Sequence, residues 1–366
     1  MKKIISIVGA RPNFMKIAPI AKELKNYGGI INHMICHTGQ HFDYNMSDVF
    51  FSEFGMSAPE INLGISGGSH AFQTAMIMME FEKVCLRERP DLVIVVGDVN
   101  STLACSLVAV KMGISVAHVE SGLRSNDRAM PEEINRIVTD SISDYMFTTE
   151  KSGSENLIRE GVSAEKIFFV GNVMIDSLVG LENKIKSSEI LRKMKLATGS
   201  FILVTFHRPS NVDNYENLLK LLTFLNLISI ECQVIFPIHP RTRKNIIQLG
   251  YIDKLSPNII LIDPIGYIDF QCLVRNSVMV ITDSGGIQEE TTFLGIQCIT
   301  VRDNTERPVT VEIGTNQLVG INFESAEIAA RNILSGKIKQ GKIPDLWDGR
   351  AATRIVSILA DLLDVV

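Results

Sequence analysis

Short apolar runs alternate with amphipathic stretches along almost the whole chain, and this rhythm is what most limits the fold. Residues 4–8, 33–37, 92–96, 116–119, 145–148 and 167–170 have the length and apolar content of buried strands. Residues 202–206, 234–238, 259–262, 278–282 and 298–301 repeat the pattern in the second half. Helical periodicity fills many of the intervals, at 15–25, 71–87, 103–112, 216–227, 241–249 and 287–293. Strands alternating with helices form parallel sheets covered on both faces, so the expected class is α/β. A chain of 366 residues is long enough for two domains of ordinary size. The weakest patterning lies between Gly180 and Ser200, where Lys, Ser and Arg accumulate. We therefore expect two Rossmann-like, doubly wound domains, 1–180 and 181–350, facing each other across a cleft. A final helical segment within 351–366 is expected to return to the first domain.

Composition excludes several classes. Lys plus Arg number 36 against 41 Asp plus Glu, a net charge of −5. A nucleic-acid binder needs a basic surface, which this chain lacks. The apolar start ends early, at Gly9-Ala10-Arg11-Pro12, and so reads as a first strand rather than a signal peptide. No stretch is long and uncharged enough to span a bilayer. The six cysteines are scattered without C-x-x-C spacing, which suits free thiols in a reducing cytoplasm. The histidines fit no structural zinc spacing, and no metal is expected.

Doubly wound folds bind ligands outside the carboxyl ends of their strands, so residues just after strand candidates carry most weight. In Thr282-Asp283-Ser284-Gly285-Gly286-Ile287 the glycines read as a turn before a helix. Absent side chains let an anion approach the backbone, and the N–H groups and dipole of the helix favour negative charge. The turn thus reads as a phosphate cradle, with Glu290 about one helical turn further on, in reach of a sugar hydroxyl. The plainer reading is a Gly-rich turn without a ligand.

After the first strand, Gly9-Ala10-Arg11-Pro12-Asn13-Phe14-Met15-Lys16 lacks the G-x-G-x-x-G of dinucleotide sites but places Arg11 and Lys16 at a strand end. Arg11 suits bidentate phosphate or carboxylate recognition. Asp98 and Glu120 follow further strands, and together with Glu132 would make a carboxylate cluster, in which neighbours drive pKa values apart. Taken singly, Asp98 also suits a helix cap, and Glu132 beside Pro131 suits a first helical turn. His207, in Phe206-His207-Arg208-Pro209, is the favoured histidine, suited either to transfer a proton or to bind a developing phosphate charge. Arg307 adds a cation near the glycine turn, or else belongs to a solvated loop.

The ordered set GARPNFMKIAP, HTGQH, GDVNST, HVESGLRS, MPEEINR, HRPSNVD, TDSGGIQEE and TERP resembles the non-hydrolysing UDP-N-acetylglucosamine 2-epimerases. The resemblance covers roughly residues 4–320. It implies GT-B architecture, a homodimer, and interconversion of UDP-GlcNAc and UDP-ManNAc without a cofactor. It carries Asp98, Glu120, Glu132 and His207 over as catalytic positions. Arg11, Ser284, Gly285, Gly286 and Glu290 become UDP-binding positions, Phe270 lies near the uracil, and Lys16 lines the cleft. Gln40 and His41 match part of the site where family members often take a second UDP-GlcNAc as activator. The segment between Glu120 and Glu132 is shorter than in some bacterial members, and Pro308-Val309 stands where many have Pro-Glu. These departures bear on sugar preference and activation, not on the phosphate turn.

The chemistry expected is expulsion of UDP with loss of the C2 proton. The resulting 2-acetamidoglucal takes a proton on its opposite face, and UDP adds back. Other readings are the same chemistry on a diacetamido uronic acid derivative, a hydrolysing relative, a GT-B glycosyltransferase, or a nucleotide-sugar sensor.

Overall fold

The computed structural model of the chain describes residues 1–39 and 53–365. Gln40 and His41, the candidate activator positions, lie outside the described residues. Two units partition the chain: 1–180 together with 345–366, and 181–344.

In the first unit, β1 (Lys2–Val8), β2 (Ile31–His37), β3 (Ile61–Asn62), β4 (Leu92–Val96), β5 (Ser115–Val119), β6 (Tyr145–Thr148) and β7 (Ile167–Phe169) form one sheet. Its order is β3-β2-β1-β4-β5-β6-β7, and all neighbours are parallel. Alternate residues of a strand face opposite sides. Ile4, Val8, Leu92, Ile94 and Val96 accordingly join one core with Phe14, Ile17 and Ile20 of the helix Arg11–Leu24. Ile5, Ile7, Val93 and Val95 join the other, with Ile77 and Phe81 of the helix His70–Glu88. Burial on both faces explains why β4 reads as an unbroken apolar run.

In the second unit, β8 (Phe201–Thr205), β9 (Gln233–Pro237), β10 (Ile259–Ile262), β11 (Met279–Thr282), β12 (Gln297–Thr300) and β13 (Asn316–Leu318) are ordered β10-β9-β8-β11-β12-β13, again all parallel. Both sheets are Rossmann-like and doubly wound. Strand order reverses between β1 and β4 in one and between β8 and β11 in the other. Those reversals are the switch points where such folds bind ligands.

The return to the first unit begins at Asp345 rather than at residue 351. Trp347 causes the difference: its ring is buried and its Nε1 donates to the Thr149 carbonyl at 2.9 Å. The helix Ala351–Leu362 then packs Ile355, Val356 and Leu359 into the core shared with Ile17 and Leu24. Its first N–H groups are capped from the helix Val173–Gly180, where the Asp176 carboxylate accepts from Ala351 N at 3.1 Å and Ala352 N at 2.7 Å.

Burial pushes the Asp176 carboxyl up to about 6, against the pull of those two N–H groups. A raised native value means the folded chain binds this proton more tightly than the unfolded chain. Its stabilisation is complete below the ordinary value of 3.8 and is lost as pH rises through about 6. Between pH 4 and pH 7.5 the wild type should lose about 2 kcal/mol through this group. Asp176→Asn should remove that part of the pH dependence, which urea titrations at both pH values would measure.

Candidate functional site

The loop after β1 is fastened to the end of β4. Asn13 Oδ1 accepts from Gly9 N at 3.1 Å and Ala10 N at 2.8 Å, while its Nδ2 donates to the Val96 carbonyl at 3.1 Å. One side chain thus bridges the switch point, and Arg11 opens the helix beside it. Gly97, next along β4, has φ of +65°, a conformation open mainly to glycine.

Asp98 follows. Its Oδ2 receives Nη2 of Arg136 at 2.6 Å, and Nη1 of the same guanidinium donates to Glu133 Oε2 at 2.6 Å. Glu133 also accepts from Ser125 N and Asn126 N, both at 2.9 Å. The adjacent acids Glu132 and Glu133 therefore do different things. Glu133 is buried and braces a loop, whereas half-buried Glu132 lines a cavity of about 320 Å³ with His70, Gln73, Asp98 and Asn100. Asp98 and Glu132, predicted to converge, share this cavity.

Glu120 leaves the next strand, since Val96 pairs with Val119. Its carboxylate is 3% exposed and forms an ion pair with Lys16, itself 6% exposed. The backbone of Glu120 is left-handed, with φ of +68°. Such a conformation costs about 1–3 kcal/mol for a non-glycine residue and persists only where neighbours enforce it. Here the N–H groups of Glu120 and Ser121 both donate to the Phe147 carbonyl, at 3.0 and 3.1 Å.

Behind these acids lies a buried network that motif reading did not single out. His118 sets Nδ1 at 2.6 Å from Asp140 Oδ1 and Nε2 at 2.8 Å from the Gly97 carbonyl. Asp140 Oδ2 accepts from Gly122 N at 3.1 Å and pairs with Arg124 Nη1 at 2.7 Å. Burial pushes the Asp140 carboxyl up, but His118 and Arg124 outweigh it and hold it low. The network joins the backbone before Asp98 to the backbone after Glu120.

In the second unit the helix Gly285–Leu294 begins earlier than expected, so Gly285 and Gly286 form its first turn rather than a preceding loop. Neither has positive φ, so space, not backbone freedom, explains the glycines. A Cβ on Gly285 would stand 2.7 Å from Arg307 Nη1 and 2.8 Å from Glu306 Oε1. A Cβ on Gly286 would meet no protein atom within 4 Å. Ser284 is the N-cap residue, yet its side chain makes no capping bond. The open space at Gly286 and the helix N-terminus suit an anion. Gly286→Ala should leave stability unchanged or raise it by up to about 1 kcal/mol, as expected when helical Gly becomes Ala. It should weaken UDP binding at least tenfold by calorimetry, since the methyl occupies the anion's space; unchanged affinity would remove the cradle.

Glu290 is buried, and its Oε1 accepts from the Tyr267 hydroxyl at 2.8 Å. Phe270 is half-buried on the same helix as Tyr267, Tyr267–Asn276. The Arg302–Arg307 segment is no solvated loop. Arg302, Glu306 and Arg307 are each at most 5% exposed. Arg307 Nε lies 2.7 Å from Glu289 Oε1 and its Nη1 pairs with Glu306, which also takes Arg302 Nη2 at 2.7 Å.

His207 follows β8 and is half exposed, at 56%, with Nδ1 2.9 Å from Asp283 Oδ1. Asp283 is fully buried. It also accepts from His207 N, Arg208 N and Asn211 Nδ2 at 2.9–3.1 Å. The available sequence signal was its place directly after a strand and before the glycines.

The chain matches the UDP-N-acetylglucosamine 2-epimerase family over residues 22–360. It is 44% identical over 364 residues to the UDP-N-acetylglucosamine 2-epimerase of Methanocaldococcus jannaschii, with 98% of each chain covered. It is 42% identical over 363 residues to the UDP-2,3-diacetamido-2,3-dideoxy-D-glucuronate 2-epimerase of Pseudomonas aeruginosa, covering 98% of this chain and 100% of that one. Among solved structures, the crystal structure of Methanocaldococcus jannaschii UDP-GlcNAc 2-epimerase in complex with UDP-GlcNAc and UDP matches with a TM-score of 0.89. That match has 42% identity and covers 98% of this chain and 99% of the other.

Proposed function

The chain belongs to the UDP-N-acetylglucosamine 2-epimerase family, and from that premise we propose that it interconverts UDP-GlcNAc and UDP-ManNAc by eliminating and re-adding UDP. The observation that carries the mechanism is the shared cavity of Asp98 and Glu132, with Glu120 held on the neighbouring strand. A hydrogen on C2 is weakly acidic, so it departs only as the C1–oxygen bond breaks and the electron pair leaves with UDP. A carboxylate takes the C2 proton, and a carboxylic acid on the other face returns one. His207, Arg11 and the helix N-terminus at Ser284-Gly285-Gly286 stabilise the charge that gathers on the departing diphosphate. Lys16 pairs with Glu120, and Glu290 and Phe270 serve the nucleoside end. Arg307, engaged by Glu289 and Glu306, shapes the cradle from behind.

The proposed working form is a homodimer. All six cysteines are free thiols, which supports a reducing compartment such as the cytoplasm. Among the described residues no helix is long and apolar enough to cross a membrane.

UDP-GlcNAc in heavy water, with no acceptor and no added cofactor, should gain deuterium at C2 while UDP-ManNAc appears in proton NMR. Product without solvent deuterium would end the elimination mechanism. Free sugar would indicate the hydrolysing reaction, and a requirement for an acceptor would indicate glycosyl transfer. The Pseudomonas relative supports a second reading, in which the substrate is the diacetamido uronic acid sugar. Parallel assays of both UDP-sugars decide between them by kcat/KM.

A further inference from the structure

We propose that Asp283 is the positioning residue for His207, fixing the ring so that Nε2 is the atom presented to the departing diphosphate. The inference deepens the epimerase reading and rests on it for the identity of the leaving group.

Three observations support it. Asp283 is wholly buried, yet both of its oxygens are engaged by donors from one short segment, 207–211. Burial pushes its carboxyl up, but His207, Asn211 and the Arg208 N–H hold it below the usual carboxylate range, so it is an ionised acceptor. An ionised carboxylate 2.9 Å from His207 Nδ1 requires the proton to sit on Nδ1. The remaining nitrogen, Nε2, lies on the opposite side of a half-exposed ring.

The placement also matters. Thr205 pairs with Thr282, so His207 and Asp283 leave the two strands that flank the switch point. Asp283 directly precedes Ser284, and it thereby locks His207 to the start of the anion-binding helix. During elimination the C1–oxygen bond breaks and its electron pair passes to the diphosphate oxygen. The C2 proton goes to a carboxylate. The protonated His207 ring shares its Nε2 proton with that oxygen while Asp283 balances the ring's charge; on re-addition the ring takes that proton back, while a second carboxylic acid protonates C2 on the opposite face. Asp283 touches no reacting atom; it acts through His207.

The test uses the full chain labelled with ¹⁵N-histidine. A long-range ¹H–¹⁵N spectrum, assigned with His207→Asn, should show the neutral ring of His207 protonated at Nδ1 and bare at Nε2. In Asp283→Asn the Nε2–H form should gain population. Turnover should fall by at least about a hundredfold, the lower range for losing an acid–base group. UDP affinity should change little. His207→Gln, whose amide reaches the Nε2 position, should retain more turnover than His207→Asn. An Nε2–H tautomer in the wild type, or wild-type turnover in Asp283→Asn, would overturn the proposal. The wild-type spectrum decides the matter even if Asp283→Asn fails to fold. Failure of deuterium exchange in a wild type with the expected tautomer would instead strike the epimerase reading.

Discussion

Asp98→Asn, Glu120→Gln and Glu132→Gln should each lower turnover by about two to four orders of magnitude, the range for losing a general acid or base. UDP affinity, measured by calorimetry, should stay near wild type, because none of the three carboxylates is among the groups assigned to hold the nucleotide. The three variants should differ in stability, and that difference makes the test sharper. Glu132 is half-buried on the wall of a cavity, so its amide costs little. Glu120 is buried against Lys16, and breaking a buried pair costs about 3–5 kcal/mol. Asp98→Asn retains an acceptor for Arg136, which also keeps its bond to Glu133, so an intermediate cost is expected. Near-normal turnover in all three would remove the carboxylates from the chemistry. Turnover lost only in proportion to stability would reduce Glu120 to a structural role.

Much of the architecture was legible because parallel strands buried on both faces leave continuous apolar runs. β4, β6 and β10 match the expected boundaries. β3 was missed because two residues carry no period, and β13 because the polar Asn316 and Gln317 make no apolar run. The early start of the glycine helix was missed because Gly-Gly is ordinarily punctuation. Here the first glycine is required by the crowding of Arg307 and Glu306, which lie far along the sequence. Motif position after a strand singled out Asp98, Glu120 and His207 as candidates, because doubly wound folds bind ligands at their strand ends. Glu132, not its neighbour Glu133, was the expected acid, and tertiary contacts separate the one that lines a cavity from the one that braces residues 125 and 126. Asp140 had no local signature beyond being acidic, and Asp283 had only its place between a strand and the glycines. Their roles come from partners 22 and 76 residues away.

Asp140→Ala should destabilise the protein by about 3–5 kcal/mol in denaturant titrations, the cost of removing one member of a buried charged network. Arg124 retains bonds to Glu160 at 2.8 and 2.6 Å, so the damage centres on His118 and on the Gly122 N–H. His118 is fully buried and has acceptors at both nitrogens, so losing Asp140 leaves Nδ1 without the partner it needs. The same loss loosens the chain on either side of the chemistry, because His118 holds the Gly97 carbonyl beside Asp98 and Asp140 holds Gly122 beyond Glu120. A left-handed Glu120 persists only under such constraint, so turnover should fall even in the folded fraction. Adding His118→Leu to Asp140→Ala should restore part of the stability, since a buried polar group without its partner is removed, with a coupling of about 1–3 kcal/mol. It should not restore turnover. A double variant that recovers both would show that the network serves folding alone, and a single variant within about 1 kcal/mol of wild type would show that the network is not held together by Asp140.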